Sequence, residues 1–342
     1  MLDEIRQQPV ALERTLKGAL SQARELRRHC QNNRPQLVVL AARGTSDNAA
    51  QFGRYLIEIT TGIPVSLAAP SVTTLYGAHL SFTNAMVIGI SQSGESTDVN
   101  LVLERAREAG AFTVGITNEA SSALARIPDR TFLVRAGREK SVAATKTYTG
   151  QLLIFYLIAW ALGASFPLEE LERMAESASV ALKLESAILQ RAERYRFMER
   201  ALVVARGLNY SNAFEFALKL METCYVVAER FSGADLLHGP IAMVESSFPS
   251  FLFAPPGVTW PTQREMLAKL DDLRADTLVI TDRGNREAAA RQGAIVIQAK
   301  PKELYTPIPY VIPAQLFAAC LAGIKGLDPD RPRTLSKVTR TL

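Results

Sequence analysis

The chain has 342 residues, 48% of them hydrophobic and 21% charged. That balance gives apolar material for two ordinary domains with a core in each and excludes global disorder. The net charge of +5 comes without any basic run of five residues, which argues against a nucleic-acid partner and suits a small anionic substrate. Cys30, Cys224 and Cys320 are odd in number and far apart, so neither a disulfide framework nor a metal or redox site is expected, and a reducing cytoplasm fits.

In chain order, MLDEIRQQPV opens the sequence with early acidic residues and no apolar core, so no signal peptide is expected. The short β-rich runs LVVLAA (37–42), AMVIGI (85–90), FTVGIT (112–117) and TFLVRA (131–136) alternate with helical patterns such as VNLVLERAREAG (99–110). Strand and helix in alternation predict a parallel sheet covered by helices on both faces, an α/β architecture. LLIFYLIAWALGA (152–164) is too short to span a bilayer and reads as a buried core helix, so no membrane partner is expected. Residues 171–200 read as a mostly charged amphipathic helix, taken as the join between units.

The pattern then repeats. QLVVLAARGTSDNAAQFGRYLIE (36–58) and ALVVARGLNYSNAFEFALKLMET (201–223) both run from an apolar strand through Arg-Gly and a polar turn to Asn-Ala and a helix. VGITN (114–118) is echoed by LVITD (278–282). One α/β unit is used twice, with expected domains 1–180 and 190–342.

Residues 91–96, SQSGES, stand between a strand expected to end at Ile90 and a helix expected to begin near Thr97. Helix N-termini present unpaired N–H groups and a positive dipole end. Gly94 lets the backbone turn, and Ser91, Ser93, Ser96 and Thr97 supply hydroxyls, so this tip suits a phosphate without a lysine. The bland alternative is that Ser96 or Thr97 is only an N-cap. A second hydroxyl-bearing tip, Thr45-Ser46 in AARGTSDNAA, favours phosphate. The corresponding stretch of the second unit, SFLFAPPGVTW, lacks the serines, so only the first unit is expected to hold phosphate.

In FEFALKLMET (214–223), Glu215, Lys219 and Glu222 share one helix face. A solvated stripe is one reading, but the intervening residues are nearly all apolar, which predicts burial, and buried charges are paired or functional. A carboxylate beside a lysine is a candidate proton-transfer pair. His238 follows in a Gly/Pro-bounded loop, FSGADLLHGPIAMV; it is either an ordinary loop histidine or a catalytic one. His29, on a polar helix, reads as solvated, and His79 has no assignment.

Together these motifs, with SVAATKTYTGQL, ALKLMET, HGPIAM and the tail DRPRTLSKVT, resemble the sugar isomerase (SIS) domain family. The likeness covers almost the whole chain and is strongest to the isomerase half of the glutamine–fructose-6-phosphate amidotransferases. The resemblance implies two SIS domains, each a parallel, doubly wound three-layer sheet, a sugar 6-phosphate substrate and no cofactor. It places Thr45, Ser46, Ser91, Gln92, Ser93, Ser96, Val142 and Glu215 among the phosphate and sugar contacts. It makes Glu222 the acid/base between C1 and C2, Lys219 the lysine beside it, and His238 a ring-opening histidine supplied by the neighbouring subunit of a homodimer. Lys337 becomes the tail lysine that forms an imine with the open-chain sugar.

Three departures bear on the reaction. The glutaminase part is expected to be missing, Ala144 stands for a serine, and Ala234-Asp235-Leu236-Leu237 replaces Gly-Glu-Leu-Lys. The expected activity is therefore isomerisation with deamination, glucosamine 6-phosphate giving fructose 6-phosphate and ammonia. Its rivals are a plain phosphosugar isomerase, a deaminase or deglycase of another amino-sugar phosphate, and a non-catalytic phosphosugar-binding regulator.

Overall fold

The computed structural model describes residues 1–337. The first half of the chain runs α1 (Leu2–Arg6), α2 (Gln8–Asn32), β1 (Leu37–Ala42), α3 (Thr45–Thr61), β2 (Val65–Leu67), α4 (Pro70–Thr74), β3 (Ala85–Ile90), α5 (Thr97–Glu108), β4 (Phe112–Thr117), β5 (Arg130–Leu133), α6 (Lys146–Ala161) and α7 (Glu169–Glu172). The second half runs α8 (Met174–Leu182), α9 (Glu185–Glu193), β6 (Arg200–Ala205), α10 (Tyr210–Cys224), β7 (Val227–Ser232), α11 (Gly233–Leu237), β8 (Pro249–Phe253), α12 (Trp260–Asp272), β9 (Asp276–Asp282), α13 (Arg286–Ala289), β10 (Ile295–Ile297) and α14 (Pro307–Ile324).

Two compact units result. The first comprises Val10–Glu139, Lys146–Arg173 and, in the tail, Ser336 and Lys337; the second comprises Met1–Pro9, Lys140–Thr145 and Met174–Leu335. Each holds one five-stranded sheet, ordered β2-β1-β3-β4-β5 in the first and β10-β9-β8-β6-β7 in the second, with every pairing parallel. Read from the other edge, the second order is β7-β6-β8-β9-β10, so the internal repeat is a repeat of topology.

In the first unit, β3 is buried at all six positions, as a parallel strand covered on both faces must be. Its register is fixed by Val39↔Val87 on one side and Ile88↔Val114 on the other. The long apolar run of 152–164 lies largely within α6, which is buried along its length except at Trp160. A helix apolar all round belongs inside a core.

In the second unit the buried helix is α14. It is long and apolar enough to cross a membrane by length and composition, yet 89% of it is buried inside the protein. Phe317 of α14, Phe251 of β8 and Phe216 of α10 form an edge-to-face cluster, with ring centroids 5.0 Å (Phe251–Phe317) and 4.9 Å (Phe216–Phe251) apart. Such pairs add about 0.5–1.5 kcal/mol each beyond area burial, and they hold α10 on the sheet. The charged stretch 171–200 is not one helix. It breaks between α8 and α9, where Lys183 and Leu184 turn back to the carbonyls of Val180 and Ala181, and both helices pack against α14. The i−3 bonds tighten the turn and let the two segments follow α14 separately.

Candidate active site

The two hydroxyl-bearing tips of the first unit follow β1 and β3, neighbours at which the strand order reverses. In open α/β sheets ligands sit beyond the carboxyl ends of the strands at such a reversal. Arg43, after β1, ties the tips together through Asp98 in the first turn of α5, with Nε to Oδ2 at 2.6 Å. Ser46, buried in the first turn of α3, accepts a hydrogen bond from Gln151 Nε2 of α6 at 3.0 Å. Thr45, half-buried, opens the same helix.

The SQSGES loop is built around Ser91. Its hydroxyl accepts the Gly94 N–H at 3.1 Å and is 3.0 Å from the Ser96 hydroxyl. Ser96 occupies the N-cap position of α5, yet its side chain makes no cap bond there. The Ser93 hydroxyl accepts the Glu95 N–H at 3.3 Å, and the Gln92 carbonyl accepts from Asn118 N at 3.1 Å. Gly94 has φ +69°, and a Cβ there would lie 2.1 Å from Ser122 Oγ, so no other residue fits without displacing the loop. The first-turn N–H groups of α5 lack intrahelical partners by construction. Serine hydroxyls beside such N–H groups have the donor chemistry that an anion cradle requires.

The topological counterpart in the second unit is the tip after β8, and there a carboxylate already occupies the cradle. Glu303 accepts the Val258 N–H at 2.6 Å and the Thr259 N–H at 3.5 Å, and it also accepts the Thr259 hydroxyl. Gly257, at φ +125°, leaves room for it, since a Cβ would fall 2.1 Å from Glu303 Oε2. An internal anion satisfies the N-terminus of α12. Nearby, at the end of β9, Asp282 is buried and accepts from Tyr310 Oη at 2.7 Å. Burial pushes its carboxyl above the ordinary range against the pull of the Tyr310 bond.

On α10, Glu215 and Lys219 are fully buried, whereas the Glu222 side chain is 23% exposed. Lys219 Nζ lies 2.5 Å from Glu222 Oε2 and 3.5 Å from Glu215 Oε1. An ammonium out of water needs compensation of this kind. The arrangement also orients Glu222, the member of the trio that reaches solvent. α10 ends at Tyr225 in a left-handed conformation. The Tyr225 hydroxyl accepts the Arg333 N–H at 2.8 Å, and the Arg333 guanidinium stacks on its ring at 4.1 Å, which anchors the tail before Lys337.

His238 caps the short helix α11 and is exposed; its backbone N–H donates to Asp235 O at 3.1 Å. Val142, half-buried, lies on the segment 140–145 and bonds through its N–H to Asp330 O at 3.5 Å. The same segment is held by the buried Glu4 carboxylate, which accepts from the N–H groups of Lys140 and Ser141. Lys337, in the first unit, meets Glu139 with Nζ 3.2 Å from Oε2. His29 is not simply solvated: it is half-buried and stacks on Phe112 with centroids 4.0 Å apart. His79 is exposed. Among the described residues no group of three or more His, Cys, Asp or Glu could hold a metal ion.

Sequence reasoning missed Glu4, Gln151, Glu139 and Glu303. Each acts on a segment far away in the chain, and only Glu139 carries a local signal. A buried glutamate next to the VAAT segment was the one available hint, because an acidic residue before a helix N-terminus often satisfies it.

The SIS domain pattern matches residues 33–161 and 196–325. Over 345 residues the chain is 34% identical to a glutamine–fructose-6-phosphate aminotransferase (isomerizing) of Pyrococcus horikoshii, covering 98% of this chain and 57% of that protein. The chain thus spans little more than half the length of that relative. The solved C-terminal domain of glucosamine-fructose-6-phosphate aminotransferase from Francisella tularensis superposes with a TM-score of 0.87 at 28% identity, covering 97% of both chains. A glucosamine-6-phosphate deaminase from Thermotoga maritima shares the fold, with a TM-score of 0.75 at 22% identity over 96% of this chain and 100% of that one. A paired topology, a hydroxyl cradle at the β1/β3 reversal and a match over both halves place the chain in the SIS domain family.

Proposed function

We propose that this protein is an amino-sugar-phosphate isomerase and deaminase that converts glucosamine 6-phosphate and water to fructose 6-phosphate and ammonia. The observation that carries the reading is the α10 trio, in which a buried lysine holds the one partly exposed carboxylate, Glu222, at 2.5 Å. A binding-only protein has no need of such a costly buried pair. A relative whose name specifies an isomerising enzyme of a sugar phosphate supports it.

In this reading the SQSGES loop holds the phosphate and His238, from the second copy of a homodimer, assists ring opening. Glu222 removes the C2 proton of the open-chain aldehyde and returns a proton to C1 by way of an enolamine, leaving an iminium at C2. The Lys337 amine adds to C2, ammonia departs, and water hydrolyses the resulting imine to the ketone. Lys219 balances charge beside the reacting carbons.

The test is ammonia and fructose 6-phosphate release from glucosamine 6-phosphate, with C2 proton exchange followed in heavy water. Glu222→Gln keeps size and polarity but removes the basic carboxylate. Turnover should fall by roughly 10²-fold or more, while calorimetric affinity changes little. Binding without ammonia release or proton exchange in the unmodified protein would favour a regulator. Exchange without ammonia would point to a plain isomerase or to another amino sugar.

A further inference from the structure

The Glu139 side chain is fully buried, and its position is set by the first turn of α6. Its Oε1 accepts the Thr147 N–H at 3.2 Å, and its Oε2 accepts the Thr147 hydroxyl at 2.6 Å. A carboxylate at a helix N-terminus is also favoured by the dipole. The same Oε2 accepts from Lys337 Nζ at 3.2 Å, and the lysine side chain is 26% exposed. From Lys325 to Lys337 the chain forms neither helix nor strand. A residue on such a segment occupies one place only if something fixes it, and the cost of ordering it is large compared with a single weak contact.

We propose that Glu139 is the positioning residue for Lys337: a carboxylate bonded to the first turn of α6 that holds the tail amine where it can add to C2 of the sugar. The proposal rests on the reading of Lys337 as the imine-forming lysine. In that step the amine lone pair forms the N–C2 bond. Ammonia leaves C2 with its bonding pair after taking up a proton, and water later restores the C2 oxygen and frees the amine. Glu139 forms no bond to the sugar. Its effect is to keep the amine within reach, and misplacing a reacting group by about an ångström can cost roughly a hundredfold in rate.

Two measurements test it on the full-length protein. Glu139→Gln keeps the shape and an oxygen for the Thr147 donors but loses the charge that holds Lys337; circular dichroism and the melting temperature check the fold. In the first measurement, acetic anhydride labels the sugar-free protein and mass spectrometry reads Lys337 against the exposed Lys269. Labelling of Lys337 should rise several-fold in Glu139→Gln, because the amine is released. Equal labelling in the two proteins overturns the tether.

In the second, fructose 6-phosphate is added and borohydride reduces any imine to a stable adduct on Lys337. The adduct should form roughly tenfold or more slowly in Glu139→Gln, with partial recovery in Glu139→Asp. Adduct in both proteins at equal rates overturns the positioning role. Absence of adduct in the unmodified protein overturns the imine reading, and the labelling result then still decides whether Glu139 tethers the tail.

Discussion

Glu303 accepts the backbone N–H of Val258 at 2.6 Å, at the sheet tip of the second unit that matches the serine cradle of the first. Two copies of one fold unit thus treat the same helix N-terminus in opposite ways: one leaves it lined with hydroxyls, the other fills it with a side-chain anion. Glu303→Ala should destabilise the protein by about 0.5–2 kcal/mol, the cost of losing a cap ahead of a helix, since the Val258 and Thr259 donors are exposed or half-buried and water can replace the carboxylate. Urea unfolding followed by circular dichroism measures this. Affinity for a hexose 6-phosphate should not change, since the proposed cradle is elsewhere.

A hexose 6-phosphate soaked into crystals should place its phosphate against Ser91, Ser93 and Ser96. Phosphate found instead near Pro255 to Gly257 would remove the basis for the assignment. Ser91→Ala strips the Gly94 N–H and the Ser96 hydroxyl of a shared partner, and phosphosugar affinity should fall by roughly tenfold. Gly94→Ala should be worse, because it meets both a positive φ and the Ser122 hydroxyl.

His238 is exposed in a single chain, which fits a residue completed by a second copy. Mixed and exchanged Glu222→Gln and His238→Ala subunits should regain part of the activity that each lacks alone. The mixture staying inactive, while mass analysis shows that heterodimers have formed, would rule out the cross-subunit role.

Burial pushes the thiols of Cys30, Cys224 and Cys320 up to about 11. At pH 8 the folded protein should react with iodoacetamide far more slowly than the urea-unfolded chain, because the thiolate is the nucleophile. The sign for stability follows from the raised values. The unfolded thiols ionise first, so the contribution is full below about pH 8.5 and declines as pH rises toward the folded values near 11. A loss of stability on acidification from pH 8 to 6 that tracks these cysteines in Cys→Ser variants would contradict this.

Local chemistry determined much of this protein from sequence alone. The boundaries of the hydroxyl-bearing tip at Ile90 and Thr97 were legible, because an apolar run gives way abruptly to hydroxyls and glycine. The burial of Glu215 and Lys219 was legible from their apolar neighbours on the helix, and the doubled architecture from the recurrence of strand, Arg-Gly and Asn-Ala. The role proposed for Lys337 came only from resemblance. Tertiary structure alone decided what those tips contain and what holds them. Glu139 reaches Lys337 across 198 positions and Glu303 reaches Val258 across 45, and no local period records such a pairing. The helix α14 also depends on tertiary context, because it contains Pro307, Pro309 and Pro313, a residue type that disfavours helix interiors. Two of them sit in the first turn, where the missing N–H has no intrahelical partner to lose. Packing of α8, α9 and α10 around the helix outweighs the third.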